Sequence, residues 1–441
     1  MTAAENFDPN RTHNPRIAIA GAGPSGLTIA RLLRDQGLTN TVLFEASHRI
    51  GGKSETVHVG ETLSELGTCY TQRGDRLVRQ WMREHGLTWS AIDRPEIDGR
   101  SFIDYVKEAP GAPLSWQTLQ FLRARRTLMK ALDKRPDDPA VLAEAAMPVA
   151  DWLRQRKLHK IERFFYRALV TTGYGYIHDT NVLQAIRWID QDLILSGVLN
   201  DLVMPHQGWS LFWDRFSQDM EIRLETPITA IQRTEDGVQI HTGERAERFD
   251  YVICAMPLDT FAALSEPTAD EQFVNDGTWW GRFVITLAIC EDWYTEEQIR
   301  TFASAMDTTA KTSMLISARR EGYDAEAGGH IYLLGQIPGT ETLAELQEIM
   351  REEVQRRGGR MTRVLHQKDW KYYCRYRPEA IRNGLLTRMD TMQGSHRTFY
   401  TGSTFSHESV GKIAIFNAAL ADKIKHQTTN RKAVAAAPVP A

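Results

Sequence analysis

Gly21, Gly23 and Gly26, with Glu45 following 19 positions after the last of them, have the types and spacing to hold a dinucleotide. In GAGPSG the first glycine permits a tight turn, and the second lets the backbone approach a pyrophosphate. The third lets a helix pack on a strand. Pro24 and Ser25 open that helix, whose free N–H groups and positive dipole end favour phosphate. A carboxylate at Glu45, with Ala46 after it, is placed to accept hydrogen bonds from ribose hydroxyls.

A glycine pair narrows the choice of dinucleotide. Arg49-Ile50-Gly51-Gly52-Lys53 follows closely on the acid. Adjacent glycines let the backbone lie against a ligand already spread over the first turn. A long, bent FAD needs such contacts, whereas NAD would have left this side of the fold. Arg49 and Lys53 are candidates for phosphate or ribose oxygens, or else are solvated surface charges.

These blocks resemble the flavin amine oxidase superfamily, whose FAD site carries G-x-G-x-x-G, then Glu, then R-x-G-G-[KR]. Here they read GAGPSG, Glu45 and RIGGK. Further blocks fit the same resemblance. Leu66, Gly67 and Thr68 after Glu65 match the segment beside the flavin, and Ile228 in PITAI matches the strand beside adenine. Gly402 and Ser403 in FYTGS, with Val410, match the block beside the pyrophosphate and flavin. In wording, RIAIAGAGPSGL, TGYGYIHDTNVLQAI and MQGSHRTFYTGS are most similar to the polyunsaturated fatty acid double-bond isomerases of that superfamily. One departure stands at Gln207-Gly208-Trp209, where the superfamily often has two glycines.

The resemblance implies a flavoenzyme that abstracts a hydride from an activated C–H of an apolar substrate. The reading closest to these blocks is isomerisation of an unsaturated fatty acid, with the hydride returned to another carbon. Amine oxidation, or desaturation of a lipid or terpenoid, uses the same fold with net oxidation. Flavin chemistry asks side chains for orientation and exclusion of water rather than for a triad. Catalytic residues are therefore unknown from the sequence, and the candidates are pocket walls: Tyr174 and Tyr176 in TGYGY, Trp370 and Tyr372 in WKYY. A packed helix–helix turn and an ordinary edge strand are the other readings of those two stretches. Arg94 and Arg100 are candidates for a substrate carboxylate or plain surface charges. Cys374, in YYCRYRP, lacks the glycine-rich context of a covalent flavin anchor, so the FAD is expected to be non-covalent.

Around these residues the sequence supplies a short apolar strand (Arg16 to Ala20), a helix (Leu27 to Gln36, stopped by Gly37) and a second strand (Thr41 to Phe44). The expected class is α/β, a Rossmann-type FAD-binding domain interleaved with a substrate domain of mixed sheet and helical cap. Its FAD domain is assigned to 14–80, 205–265 and 389–426, the cap to 81–204 and the substrate domain to 266–388. Residues 1–13 and 427–441 are read as flexible tails. Helical spacing runs over Leu119 to Leu132, Pro139 to Leu153 and Leu158 to Thr172 in the cap, and over Leu343 to Arg357 later. Strand-like runs are Arg282 to Ile289 and His330 to Leu334.

The 441 residues carry 42% hydrophobic and 25% charged side chains and a net charge of −3, the balance of a globular protein without a large nucleic-acid face. Four scattered cysteines form no metal or disulfide pattern, so no metal is expected. The polar N-terminus and the absence of an apolar run of about 18 to 20 residues fit a cytoplasmic protein without an integral membrane segment, acting on a small apolar or amphipathic substrate.

Overall fold

A computed structural model describes residues 14–92, 95–296, 299–306 and 313–435. Its first layer is a five-stranded parallel sheet, ordered Thr398–Tyr400, Tyr251–Cys254, Ile17–Ala20, Thr41–Phe44, Glu221–Arg223. Ile17, Ala18, Ile19 and Ala20 are fully buried, as a central parallel strand covered on both faces must be. Helix Pro24–Asp35 packs on one face beside the closing helix Val410–Ala435. The two are locked by Asn417, whose Nδ2 donates to the Ser25 carbonyl (2.9 Å) and to Thr28 Oγ1 (2.7 Å). Three distant stretches of chain thus make one sheet and its helical cover.

The second layer is a seven-stranded mixed sheet led by two long antiparallel strands, Arg360–Tyr376 and Thr278–Glu291. Gly329–Gln336, Leu315–Asp324 and Ile299–Thr301 continue it. Its far edge, Glu96–Ile97 and Arg100–Ser101, comes from the segment expected to be purely helical cap. A three-stranded antiparallel sheet, Ala230–Arg233, Val238–Thr242 and Arg245–Phe249, holds the turn around Gly237.

Helices Leu114–Lys134, Pro139–Ala145, Val149–Gln155 and His159–Val170 build the cap. The periodicity over Pro139 to Leu153 reads as one helix, yet the chain breaks it at Pro148, which cannot donate to the preceding turn and pushes Met147 out of helical backbone. Helix Leu343–Arg356 starts on a capping box in which Thr342 and Glu345 satisfy each other's backbone N–H groups. The last helix runs on to Ala435, past the boundary at 426 where a tail was expected. Among the described residues no helix is long and apolar enough to cross a membrane.

Candidate active site

Two glycine turns meet at the end of the parallel sheet. Gly21 has φ +112°, and a Cβ there would sit 3.1 Å from the Ala255 carbonyl oxygen. A Cβ on Gly26 would overlap the Gly21 carbonyl, so helix Pro24–Asp35 can lie this close to its strand only with glycine at position 26. Gly51 donates its N–H to the Ala22 carbonyl at 2.9 Å. A Cβ on Gly52 would be 3.1 Å from the Gly23 Cα, which brings the RIGGK loop directly against the first turn. Helix Pro24–Asp35 has no side-chain cap and no acid in its first turn, leaving its positive end to an anion.

Glu45 closes the same corner. Its Oε2 accepts from the Ala22 N–H (3.0 Å), and its Oε1 accepts from the N–H and Oγ of Ser47, both at 2.9 Å, with Ala46 exposed between them. The segment leading to Ile228 lies alongside, with Thr226 N–H donating to the Glu45 carbonyl at 2.9 Å. Arg49 is turned onto its own loop, donating to the carbonyls of Ile50, Gly52 and Ser54 and to Glu55 (2.7 Å). It therefore holds the loop's shape. Lys53 pairs with Glu408 and lies 5.0 Å from the Trp280 ring centre and 5.1 Å from that of Tyr372.

Further along the same cleft, a Cβ on Gly67 would overlap the Lys53 carbonyl, to which Thr68 N–H also donates (3.1 Å). Leu66 is buried, and its carbonyl accepts from Trp370 Nε1. Gly402 has φ +93° beside Ser25. Glu408 Oε2 accepts from Ser403 Oγ and from the Tyr373 N–H at 3.0 Å. The hydrogen bonds and close approaches above bring the glycine turns, Glu45, the RIGGK loop and the 402–408 segment together, and Gly67, Thr68 and Val410, on the N-terminal turn of the last helix, line the cavity that follows.

Beside these residues opens a cavity with about 1050 Å³ of space free of protein atoms, part of it open to solvent. Gly67, Thr68, Glu408, Ser409 and Val410 line its inner end. Its walls are mainly apolar or aromatic, including Ile92, Tyr174, Trp188, Phe283, Ile285 and Tyr372. Gly173 and Gly175, with φ +76° and +104°, deliver Tyr174 to this wall, because a Cβ at the first would overlap the Phe283 ring and one at the second the Arg375 guanidinium. A bulge in the strand Arg360–Tyr376 completes the stack. Gly281 pairs with Tyr372 and Trp280 with Cys374, so Tyr373 is the extra residue, at φ +53°. In a regular strand neighbouring side chains face opposite ways. Here both rings reach Tyr174, at 5.9 Å for Tyr372 and 4.5 Å for Tyr373. Tyr176 and Trp370 are outside the cavity: the first is buried near Arg375, and the second packs behind Leu66 and Gly67.

Arg167, on helix His159–Val170, lines the cavity and, among the described residues, has no carboxylate partner. Its Nε is buried without a hydrogen-bond acceptor, its guanidinium lies 5.1 Å from the Phe102 ring centre, and burial pushes its pKa down to about 10. Arg319 also faces the cavity, but it is committed to Glu321 and to Cys69 Sγ (3.1 Å), and those partners raise its pKa. Glu65 is 1% exposed; Oε1 accepts from Trp209 N–H (2.8 Å) and Thr56 Oγ1 (2.9 Å) while Oε2 has no partner, and desolvation raises its pKa to about 7. Buried His407 stacks on Trp188 and is held far below its usual pKa by desolvation, so it stays neutral.

Arg100 is half-exposed and pairs with Glu108, and Arg94 is outside the described residues. The cavity itself is lined by Arg167 and Arg319, neither of which is among the residues singled out from the sequence. For Arg167 the signal was available: FFYRALV sets a single arginine in an otherwise apolar run.

Comparison with known proteins decides what such a cleft belongs to. The sequence model of the family described as flavin containing amine oxidoreductase matches residues 24–373. The chain belongs to that family. It is therefore an FAD-dependent enzyme, as GAGPSG, Glu45 and RIGGK imply. A polyenoic fatty acid isomerase of Ptilota filicina is 22% identical over 257 residues, covering 50% of this chain and 51% of the relative. A flavin-containing amine oxidase of Danio rerio is 34% identical over 272 residues, covering 55% and 50%. The chain thus spans about half the length of these curated relatives. Among solved structures, a CLA-producing fatty acid isomerase from P. acnes superposes with a TM-score of 0.79 at 17% identity, covering 93% of this chain and 99% of that one. That likeness establishes the fold.

Proposed function

We propose that this chain isomerises a double bond of an unsaturated fatty acid, holding the substrate carboxylate on Arg167. The observation that carries the reading is a half-buried arginine that, among the described residues, has no acidic partner and whose buried Nε lacks an acceptor, in a pocket walled in large part by apolar and aromatic side chains. An unpaired buried guanidinium is costly, and a carboxylate entering with an acyl chain relieves it while the chain covers the apolar wall. The glycine turns, Glu45 and the N-terminus of helix Pro24–Asp35 are the groups that would hold FAD, and Gly67, Thr68 and Val410 are those that would lie at its reactive end. Bound FAD supplies an acceptor for hydride. The chain's tasks are to anchor the acid, to align the reacting carbon at the inner end of the cavity and to exclude water with the Tyr174–Tyr372 stack. The relative from Ptilota filicina supports isomerisation within this chemistry, for which the methylene between two double bonds of a polyunsaturated acid would be the activated C–H.

The stacked tyrosines and the Danio rerio relative favour a second reading, oxidation of an amine. A cationic amine gains nothing from Arg167, so the two readings separate on that residue. The test is product analysis after incubating the yellow protein with linoleic acid. Unchanged mass with new conjugated-diene absorbance supports isomerisation. Loss of two hydrogens indicates net oxidation, and no reaction beside hydrogen peroxide formation from amines establishes the second reading. Arg167→Gln is expected to raise KM for the free acid about 10- to 100-fold, the loss of a charge-assisted hydrogen bond, and to leave a methyl ester unaffected. Equal effects on acid and ester would remove the assigned role.

A further inference from the structure

We propose that helix Leu114–Lys134, with the loop Pro110–Pro113 before it, docks on the surface of a lipid bilayer rich in anionic headgroups. The outward face of this helix is organised along its length. At its start Trp116 and Leu119 are 53% and 55% exposed, beside the exposed loop residues Pro110 to Pro113. Along the same face follow Arg123, Arg126, Lys130 and Lys134, at helical spacing and all exposed. The one acid on the helix is Asp133, and among the described residues none of those four cations has a carboxylate partner. The whole chain is slightly acidic, so an unpaired basic row on one helix is a local feature.

The opposite face is ordinary core. Phe121 and Leu128 are buried, and the helix packs on His159–Val170, which carries Arg167. Gln117 fixes the tip: its Nε2 donates to the Ala112 carbonyl at 2.9 Å, and its Oε1 accepts from the Lys160 N–H at 2.9 Å. The apolar tip is therefore held in place before any partner arrives. A tryptophan and a leucine beside a row of cations match the acyl boundary and the phosphate layer of a membrane surface, where such helices lie in the plane of the interface. Nucleic acid would use the cations and leave the apolar tip in water.

The docking rests on this face alone. If the fatty acid reading also holds, docking places the cavity's supporting helices beside a source of its substrate. The experiment is co-sedimentation of the FAD-loaded full chain with vesicles of phosphatidylglycerol and phosphatidylcholine, against vesicles of phosphatidylcholine alone. Binding is expected on the anionic vesicles, weakened by salt. The double variants Trp116→Ala with Leu119→Ser, and Lys130→Glu with Lys134→Glu, should each lower it about tenfold or more while retaining bound FAD. Absence of lipid-dependent binding, or binding of both variants at the wild-type level, overturns the proposal. So does a salt-sensitive dimer abolished by the same variants without vesicle binding, which would make a second copy the occupant. Turnover plays no part in the readout, so failure here leaves the active-site reading to its own test.

Discussion

Glu65 ends the short strand Thr62–Glu65 beneath helix Trp209–Phe216, and desolvation there turns an ordinary carboxyl into one that titrates near neutrality. Its folded pKa of about 7 exceeds the 4.5 of an exposed glutamate, so between those values the native state holds a proton that the unfolded chain has released. The proton's stabilising contribution is complete below about 4.5 and is lost as pH rises through about 7. Its size is on the order of 3 kcal/mol. Glu65→Gln keeps an acceptor for the Trp209 N–H, and it should flatten the fall in Tm between pH 5 and pH 8. An unchanged slope would place that pH dependence elsewhere. Glu45→Ala tests the other carboxylate: it should weaken FAD binding at least tenfold, the loss of charge-assisted hydrogen bonds, as read by flavin fluorescence. Glu45 was legible because strand, turn and helix fix where it must lie. Arg167 was not, because which side chains share a cavity depends on distant strands, and here Phe283, Ser317 and Leu333 from the large sheet line the same cavity.

At the scale of elements, strand Ile17–Ala20, helix Pro24–Asp35 and strand Thr41–Phe44 were readable almost to their ends, because local turn chemistry and tertiary packing ask for the same residues. The bulge at Tyr373 was not readable, since nothing in WKYYCRY marks which of two tyrosines the register will skip. Its consequence is local to the site, for without the bulge one of the two rings would leave Tyr174. The fit of helix to strand in the first turn makes a sharper prediction. A methyl group at Gly26 cannot share space with the Gly21 carbonyl, so Gly26→Ala must lift the helix from the sheet. The expected cost is about 1–3 kcal/mol of stability, with loss of FAD because the helix N-terminus moves away from the phosphates. A denaturant titration and the flavin absorbance of the purified variant measure the two effects. A yellow variant of wild-type stability would contradict this packing.

For the whole molecule, the important feature is that the proposed cofactor site is made from stretches far apart in the chain. Residues near 21–54, 223–228 and 402–410 converge on it, while the intervening excursions build the large sheet and the helical cap. Those excursions are tied back at the cleft: Trp370 reaches the Leu66 carbonyl, the Tyr373 N–H reaches Glu408, and Lys53 pairs with Glu408. The segments proposed to hold FAD are thus supported by the other sheet. The strand-run reading foresaw both sheets, but their edges crossed the assigned boundaries, because Glu96–Ile97 and Arg100–Ser101 are too short to read as strands without their partner Ile299–Thr301. Such interleaving predicts one cooperative unfolding step in the holoenzyme. Far-UV circular dichroism and the release of flavin fluorescence should share a midpoint on heating, and free FAD at a hundred times its Kd should stabilise both signals by about 2.7 kcal/mol. If the flavin were released well below the main transition, or only part of the circular dichroism responded to added FAD, the two sheets would be independent folding units. The contacts of Trp370, Tyr373 and Lys53 across the cleft would then be too weak to couple them.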